Sequence, residues 1–303
     1  MKHIFGPVIS RRYGLSLGVD LAVPKTCAFN CLFCQIGPTA NTTVTRTGQP
    51  PIAEILAELR QWLAAGAPAD FITAAGSGEP TLHLHFGEIL RFTREEARCR
   101  SLLLSNGALF TLPEVRRDAA LADVVKLSLH AWDQSSFERI ARPHASLSFD
   151  AIIEGYRQFR REFKGRIDLE VFIVPGLNDT PEQVSRIAAI AASFNPDAVM
   201  LNTAVRPPAD SSVARCPQAR LRLLARHFTP AAQAVGDEPA ASLPDLTADA
   251  LVDLVSRHPA SLKFLSAGFQ RPEHELRQII DALASERKLR VAEHQGELWV
   301  FPR

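Results

Sequence analysis

Three cysteines within eight residues are the positions in this sequence best suited to chemistry. Cys27, Cys31 and Cys34 have the spacing C-x3-C-x2-C, so three thiolates share one short loop. Disulfide scaffolds are small and rich in cysteine, whereas this chain has 303 residues and five cysteines, which favours metal binding. Three thiolates can hold three corners of a [4Fe–4S] cube, and the remaining iron then takes a ligand that is not protein.

Zinc is the alternative metal for this triplet, although structural zinc sites usually fill all four positions with protein side chains. The other two cysteines, Cys99 and Cys216, lie far from the triplet in sequence, and we expect both to be ordinary small apolar residues. A zinc knuckle or a chance cluster of cysteines is therefore the competing interpretation of the triplet.

Six short apolar segments before residue 205 are predicted to be the strands that position this loop. We predict strands at Leu15 to Val23, Phe71 to Ala75, Ser101 to Leu104, Val124 to Leu129, Ile167 to Val174 and Ala198 to Asn202. Helical spacing between them favours parallel βα units, whose sites lie at the carboxyl ends of the strands. Six units are too few for a closed eightfold barrel, so we predict an α/β fold with a partial (β/α)6 TIM-like barrel.

The sequence predicts three regions: a core at 1–230, a linker at 231–246 and a small domain at 247–303. The last region reads as three helices followed by a hairpin, which is typical of a winged helix-turn-helix. Its eight basic and eight acidic residues cancel. Because nucleic-acid-binding domains usually carry a basic excess, a docking or structural role is favoured.

Composition limits the classes of function. The net charge of +1 argues against general binding to nucleic acids or membranes. No apolar run approaches the roughly 20 residues that span a bilayer, and the first residues lack the apolar stretch of a secretory signal. We therefore expect a cytoplasmic protein with no membrane partner.

The cysteine spacing, with Phe33 before the third cysteine, resembles the signature of the radical S-adenosylmethionine (radical SAM) superfamily. The resemblance implies a [4Fe–4S] cluster on the three cysteines, whose open iron chelates the amino and carboxylate groups of S-adenosylmethionine. It also implies reductive cleavage to methionine and a 5′-deoxyadenosyl radical, which abstracts hydrogen from a substrate. An electron donor such as flavodoxin or ferredoxin is a further implied partner.

Other strand ends resemble the cofactor-binding motifs of the superfamily. Gly76-Ser77-Gly78-Glu79 is similar to the Gly-Gly-Glu motif that holds the methionine amino group, although Ser77 replaces a glycine. Ordinary tight turns and buried polar residues are the alternative interpretation of such positions. The cofactor-binding residues implied by the resemblance are Phe33, Gly76, Ser77, Gly78, Glu79, Asn106, Ser128, Val174, Gly176 and Asn202.

Two further segments, Phe5 to Asp20 and Leu201 to Pro208, are similar to a largely uncharacterised radical SAM group filed beside the wyosine-forming tRNA enzymes. Wyosine formation itself is not expected, because those enzymes use a second cluster and this chain has only Cys99 and Cys216 to spare. We expect an RNA or peptide substrate, since an open partial barrel admits large molecules. The alternatives are a small-molecule radical enzyme and a non-catalytic iron–sulfur redox-sensing regulator.

Charged residues and histidines near the predicted strands are weaker candidates for the site. Arg11, Arg12, Lys25 and Arg206 could bind a phosphate, a substrate carboxylate or the cofactor's carboxylate, or could form structural ion pairs. His83, His85 and His130 follow predicted strands and could line the cavity, but structural roles are favoured for each of them.

Overall fold

The structure is a computed structural model, and it describes residues 1–236, 247–257, 259–294 and 296–303. The strands of its N-terminal unit are β1 (Ile4–Ser10), β2 (Gly14–Asp20), β3 (Thr26–Cys27), β4 (Asn41–Thr42), β5 (Phe71–Ala75), β6 (Arg100–Leu104), β7 (Val124–Ser128), β8 (Arg166–Phe172), β9 (Ala198–Asn202) and β10 (Gln233–Ala234). The helices of this unit are α1 (Ile52–Ala64), α2 (Phe86–Glu96), α3 (Pro113–Ala119), α4 (Gln134–Ala141), α5 (Phe149–Glu162), α6 (Pro181–Ala192) and α7 (Gln218–Ala225).

Side-chain caps fix where several of these helices begin. Asp133 and Ser136 form a capping box at the start of α4, and Thr180 and Gln183 form another at the start of α6. Each box satisfies backbone N–H groups that have no partner inside the helix. Because these caps directly follow the loops after β7 and β8, they also fix the point at which each loop ends and its helix begins.

Eight of the strands form one mixed sheet in the order β1-β2-β5-β6-β7-β8-β9-β10. The six predicted strands are confirmed as β2 and β5 to β9, and they run parallel to one another. The sequence analysis missed both edge strands. β1 pairs antiparallel with β2 through an irregular register, and β10 is a parallel addition of two residues beside β9.

One face of this sheet is the wall of a single cavity. Lys126 and Ser128 of β7, Glu170 and Phe172 of β8, and Asn202 of β9 all line it. Successive side chains of a strand point to opposite faces, so alternate residues share one wall. The intervening residues are buried on the helical side. Because β1, β2 and β5 to β9 all contribute to the same cavity, the sheet wraps around it, an arrangement consistent with a partial barrel.

The C-terminal unit contains three helices and a three-stranded sheet. Its elements are α8 (Ala248–Arg257), β11 (Ala260–Ser261), α9 (Leu262–Phe269), α10 (Glu273–Ser285), β12 (Leu289–His294) and β13 (Glu297–Pro302). The predicted helices and hairpin are present, and the two-residue strand β11 adds to β13. α8 packs against β1, and Val8 joins the apolar core of this unit. The winged helix-turn-helix class stays a prediction.

The sheet of the N-terminal unit extends beyond the predicted core, because β10 lies inside the segment that we expected to be a linker. The remainder of that predicted linker, 237–246, lies outside the described residues. Within the described residues, no helix is long and apolar enough to cross a membrane.

Candidate functional site

A cavity of about 1120 Å³ lies against the inner face of the sheet, and the cysteine triplet opens into it. Cys27, Cys31 and Cys34 all line its wall, so the structure brings the predicted ligands together in one cavity. Most of the predicted cofactor-binding residues line the same cavity; they are Phe33, Gly76, Ser77, Gly78, Glu79, Asn106, Ser128 and Asn202.

Backbone hydrogen bonds to the end of α4 hold the cysteine loop in place. The N–H of Leu32 donates to the carbonyl of Ile140 at 3.1 Å, and the N–H of Asn30 donates to the carbonyl of Ala141 at 3.0 Å. From the other side, the N–H of His144 donates to the carbonyl of Ala28 at 2.9 Å. These bonds orient the thiols without using the side chains between them.

Phe33 attaches the third cysteine to the end of β8. Its ring stacks on Phe172 with centroids 4.1 Å apart and meets the His130 ring edge-on at 4.7 Å. The His130 Nδ1 atom accepts a hydrogen bond from the N–H of Phe172 at 3.0 Å. Burial lowers the pKa of His130 to about 3, so this histidine is a neutral structural group at neutral pH.

The loop after β5 lies so close to its neighbours that glycine is required. Gly76 has a φ of +127°, and a Cβ on Gly78 would lie 1.9 Å from the carbonyl oxygen of Thr26. Ser77, the residue that departs from the superfamily pattern, donates its N–H and its hydroxyl to Asp20. Asp20 thereby fixes the loop from the neighbouring strand.

The Glu79 carboxylate joins two of the strand-end loops. It accepts hydrogen bonds from the Thr81 hydroxyl at 2.6 Å, the Ser105 hydroxyl at 2.7 Å and the Asn106 N–H at 2.8 Å. The residue is 2% exposed, and its burial raises the pKa of the carboxyl. The side chain therefore orients the loop that carries Asn106.

Asn106 in turn contacts the first cysteine, because its Nδ2 atom donates to Sγ of Cys27 at 3.3 Å. Tyr156, which the sequence analysis missed, has its hydroxyl oxygen 2.9 Å from the carbonyl oxygens of both Asn106 and Ser128, which share its single proton. A Cβ on Gly107 would lie 2.0 Å from the Tyr156 hydroxyl oxygen, which explains the glycine after Asn106. One buried tyrosine thus positions the ends of β6 and β7 together.

The three buried thiols form a donor set that suits a [4Fe–4S] cluster. Burial raises the pKa of Cys27 to about 12 and raises the pKa of Cys31 and Cys34, so bound metal must replace the protons. Within the described residues, no three His, Cys, Asp or Glu side chains are arranged to hold one metal ion. A cubane spaces its thiolates further apart, because each binds a different iron.

A buried charge cluster on the cavity wall was not predicted as a unit. Glu170 accepts from Lys126 Nζ at 2.9 Å and Asn202 Nδ2 at 2.9 Å, and it forms an ion pair with Arg12. Burial alone would raise the pKa of Glu170, but Arg12 and Lys126 bring it well below its usual range. In the sequence, this cluster could have been predicted from the charged residues that alternate with apolar residues within the strands.

Two of the predicted cofactor-binding residues are not among the residues that line the cavity. Val174 is 1% exposed and packs in an apolar cluster with Phe33 and Phe172, while Gly176 is exposed. The turn between them is held by the buried Asn178, whose Oδ1 accepts from the N–H of Val174 at 2.7 Å. Contact of this loop with adenine stays a prediction.

Some of the remaining charged and histidine candidates line the cavity, and others do not. Its lining includes Arg11, Lys25, Arg206 and His130 but neither His83 nor His85. His83 has a structural role, because its Nε2 atom hydrogen-bonds the carbonyl of Pro50 at 2.7 Å.

Comparison with known proteins adds family membership to this geometry. Residues 22–190 match the Radical SAM superfamily. A UPF0026 protein of Synechocystis sp. is 35% identical over 205 residues, which cover 67% of this chain and 76% of that protein. A protein of Brachyspira hyodysenteriae named GTPase Obg is 30% identical over 95% of this chain, but the match spans only 43% of that protein.

A solved structure has a similar fold. The structure of TYW1 with a lysine-pyruvate adduct bound superposes with a TM-score of 0.52 at 17% identity, covering 72% of this chain and 74% of that one. The likeness concerns the fold alone, whereas the sequence match extends over more than half of the chain. The chain therefore belongs to the radical SAM superfamily, whose enzymes use a [4Fe–4S] cluster and S-adenosylmethionine.

Proposed function

We propose that this enzyme cleaves S-adenosylmethionine reductively and uses the 5′-deoxyadenosyl radical to abstract hydrogen from a substrate. The observation that carries the proposal is that the three cysteines and the strand-end loops open into one cavity. When bound, a [4Fe–4S] cluster supplies the electron and the iron that chelates the cofactor. The protein contributes ligands, orientation and exclusion of water.

Within this proposal, Cys27, Cys31 and Cys34 hold the cluster, and the loops around them hold the cofactor. Asn106 donates to the Cys27 sulfur, and hydrogen bonds to sulfur tune the potential of such clusters. Lys25 and Lys126 lower the pKa of Cys34 and Cys31 respectively, which opposes the larger effect of burial. Both cations are therefore placed to stabilise thiolate charge.

The remaining cofactor contacts are proposed from the resemblance and from the cavity lining. Gly76, Ser77, Gly78 and Glu79 form the loop proposed to hold the methionine end. Other cavity positions proposed to contact the cofactor are Phe33, Asn106, Ser128 and Asn202. The turn at Val174 and Gly176 is proposed to lie near adenine.

An RNA or a peptide is the proposed substrate, because the sheet is open and a further unit is attached to it. A small molecule is the second candidate, and one observation favours it. Leu254, Phe264, Arg290 and Phe301 of the C-terminal unit line the cavity, which narrows the space for a large substrate. A flavodoxin or ferredoxin is the proposed electron donor.

Anaerobic reconstitution with iron and sulfide, followed by reduction in the presence of S-adenosylmethionine, tests the proposal. We expect brown protein that forms 5′-deoxyadenosine, and a Cys34→Ala variant that loses both the colour and the product. Cys99→Ala is the matched control, since Cys99 lies outside the cavity lining and should keep both. Product formation by Cys34→Ala, or none by the reconstituted wild type, would contradict the proposal.

A further inference from the structure

The segment that carries the three cysteines contains no acidic residue. Between Asp20 and Glu54 its charged side chains are Lys25 and Arg46, although the whole chain has 33 aspartates and glutamates in 303 residues. Arg46 binds the protein itself, because its guanidinium donates to the carbonyl of Thr81 at 3.0 Å. Within the described residues, no carboxylate pairs with Lys25. The surface that this segment contributes beside the cysteine loop therefore carries a single positive charge, that of Lys25.

Two exposed apolar side chains lie beside Lys25. Val23 is 46% exposed and Ile36 is 37% exposed, whereas most large apolar side chains of the described residues are buried. Val23 precedes Lys25 by two residues, and Ile36 precedes Gly37, where a Cβ would lie 2.9 Å from the Lys25 Nζ atom. We call Val23, Lys25 and Ile36 the Lys25 patch. All three residues line the cavity, so the patch lies at its rim.

Backbone hydrogen bonds fix the Lys25 patch to the cysteine loop. The N–H groups of Ala40 and Asn41 donate to the carbonyl of Lys25 at 3.0 and 3.1 Å, which folds the chain after the third cysteine back onto the residues before the first. The Gly37 N–H donates to the carbonyl of Cys34 at 3.2 Å. The Lys25 charge also acts on Cys34, since it opposes the effect of burial on the pKa of that thiol. The patch is thus a preformed surface directly beside the proposed cluster ligands.

We propose that the Lys25 patch is the docking surface for a flavodoxin that reduces the cluster. This inference rests on the proposed function and places its electron donor. The transfer moves one electron from the reduced flavin to the cluster, so the flavin is oxidised, the cluster is reduced and no atoms are exchanged. Because electron transfer slows steeply with distance, the donor must dock on the surface beside the cysteines.

The chemistry of the Lys25 patch matches that of a flavodoxin. Flavodoxins are acidic proteins, and an acidic surface is attracted to a cation that pairs with no carboxylate of its own chain. The dimethylbenzene edge of their flavin is apolar, which suits contact with Val23 and Ile36. Transient electron-transfer partners bury less than about 1,200 Å² in total, so a patch of a few residues suffices.

Calorimetric titration of the reconstituted full chain with a purified flavodoxin tests the docking surface. We expect binding that weakens as salt is added. Val23→Glu and Ile36→Glu each place a like charge against the flavodoxin and should weaken binding about tenfold or more. Leu223→Glu is the matched control, because Leu223 is 52% exposed on α7 and lies outside the cavity lining, and we expect a change within about twofold. A [2Fe–2S] ferredoxin is the second probe, and its tighter binding would overturn the assignment to a flavodoxin.

The rate of 5′-deoxyadenosine formation separates docking of the donor from the state of the site. With reduced flavodoxin, Val23→Glu and Ile36→Glu should need about tenfold more donor to reach the half-maximal rate. Excess dithionite needs no docking surface, so it should drive both variants within about twofold of the wild type. An equal loss with dithionite would place these residues in the cofactor site and overturn the docking surface.

Unchanged flavodoxin binding in both variants, or an equal loss in Leu223→Glu, would overturn the docking surface. Unchanged melting temperatures and cluster absorbance would exclude misfolding as the cause of weaker binding. The proposed function has its own readout, since 5′-deoxyadenosine formation with dithionite requires no protein donor. Normal product formation with dithionite but no flavodoxin binding by the wild type would therefore refute the docking surface alone.

Discussion

Replacement of Glu170 by glutamine should destabilise the protein more than any exposed charge substitution. The carboxylate is the shared partner of Arg12 and Lys126 and also accepts from Asn202. Glutamine keeps the size and the acceptor oxygen but removes the negative charge. The change therefore leaves two buried cations facing each other without compensation.

The magnitude follows from the burial of this group, which is 8% exposed. Removing one partner of a buried ion pair costs about 3–5 kcal/mol. For a chain of 303 residues, an unfolding entropy of about 2.1 cal/mol/K per residue converts that loss into about 5–8 °C of Tm.

The loss should also depend on pH. The pKa of Glu170 is well below its usual range in the folded protein, so its stabilisation is fully present above the unfolded pKa of about 4.3. It disappears as the pH falls through the lower folded value. The Tm difference between wild type and Glu170→Gln should therefore be greatest near neutral pH and shrink towards about pH 3.

Differential scanning calorimetry across this pH range is the assay. Glu96→Gln is the control, because Glu96 pairs with Arg60 at 2.9 Å while both side chains remain about half exposed. We expect the control to shift Tm by at most about 1 °C at any pH. A Tm loss below about 2 °C for Glu170→Gln, or a loss unchanged by acid, would show that Arg12 and Lys126 do not depend on this carboxylate.

Three other substitutions test how the site is held. Glu79→Gln points an amide N–H at the backbone N–H of Thr81 or of Asn106 in either orientation, so we expect a loss of about 2–4 kcal/mol in urea unfolding; an unchanged midpoint would contradict this. Gly78→Ala places a Cβ 1.9 Å from the Thr26 carbonyl oxygen and should weaken S-adenosylmethionine binding in equilibrium dialysis; wild-type affinity would argue against the close packing. Asn178→Ala should speed amide exchange at Val174, its partner at 2.7 Å, and unchanged protection would count against that role.

The sequence predicts those parts of the fold that have a recognisable pattern in their own residues. All six parallel strands have short apolar runs that end in polar or glycine-rich residues, and most residues of these runs are buried. The edge strand β1 has no such run, because Gly6 and Pro7 interrupt it beside the register shift. β10 consists of two residues, and its pairing with β9 depends on the folded sheet rather than on its own sequence.

In the candidate site, too, some residues can be predicted from the nearby sequence, whereas others are brought together only by the fold. Cys27, Cys31 and Cys34 are predicted as ligands from their spacing, because all three lie in one loop, and their binding of a cluster stays a prediction. Tyr156 lies in the middle of α5, where nothing nearby indicates that its hydroxyl reaches the ends of two strands. The pairing of Arg12 with Glu170 spans 158 positions, so only the folded sheet brings the two residues together.

The proposed arrangement is a cluster held by Cys27, Cys31 and Cys34, with S-adenosylmethionine on its remaining iron. Electron paramagnetic resonance of the reduced, reconstituted chain, recorded with and without the cofactor, tests it most directly. We predict the signal of a reduced [4Fe–4S] cluster whose g values shift when S-adenosylmethionine is added. A spectrum unaffected by the cofactor, or a protein that carries zinc and shows no cluster signal, would contradict the account.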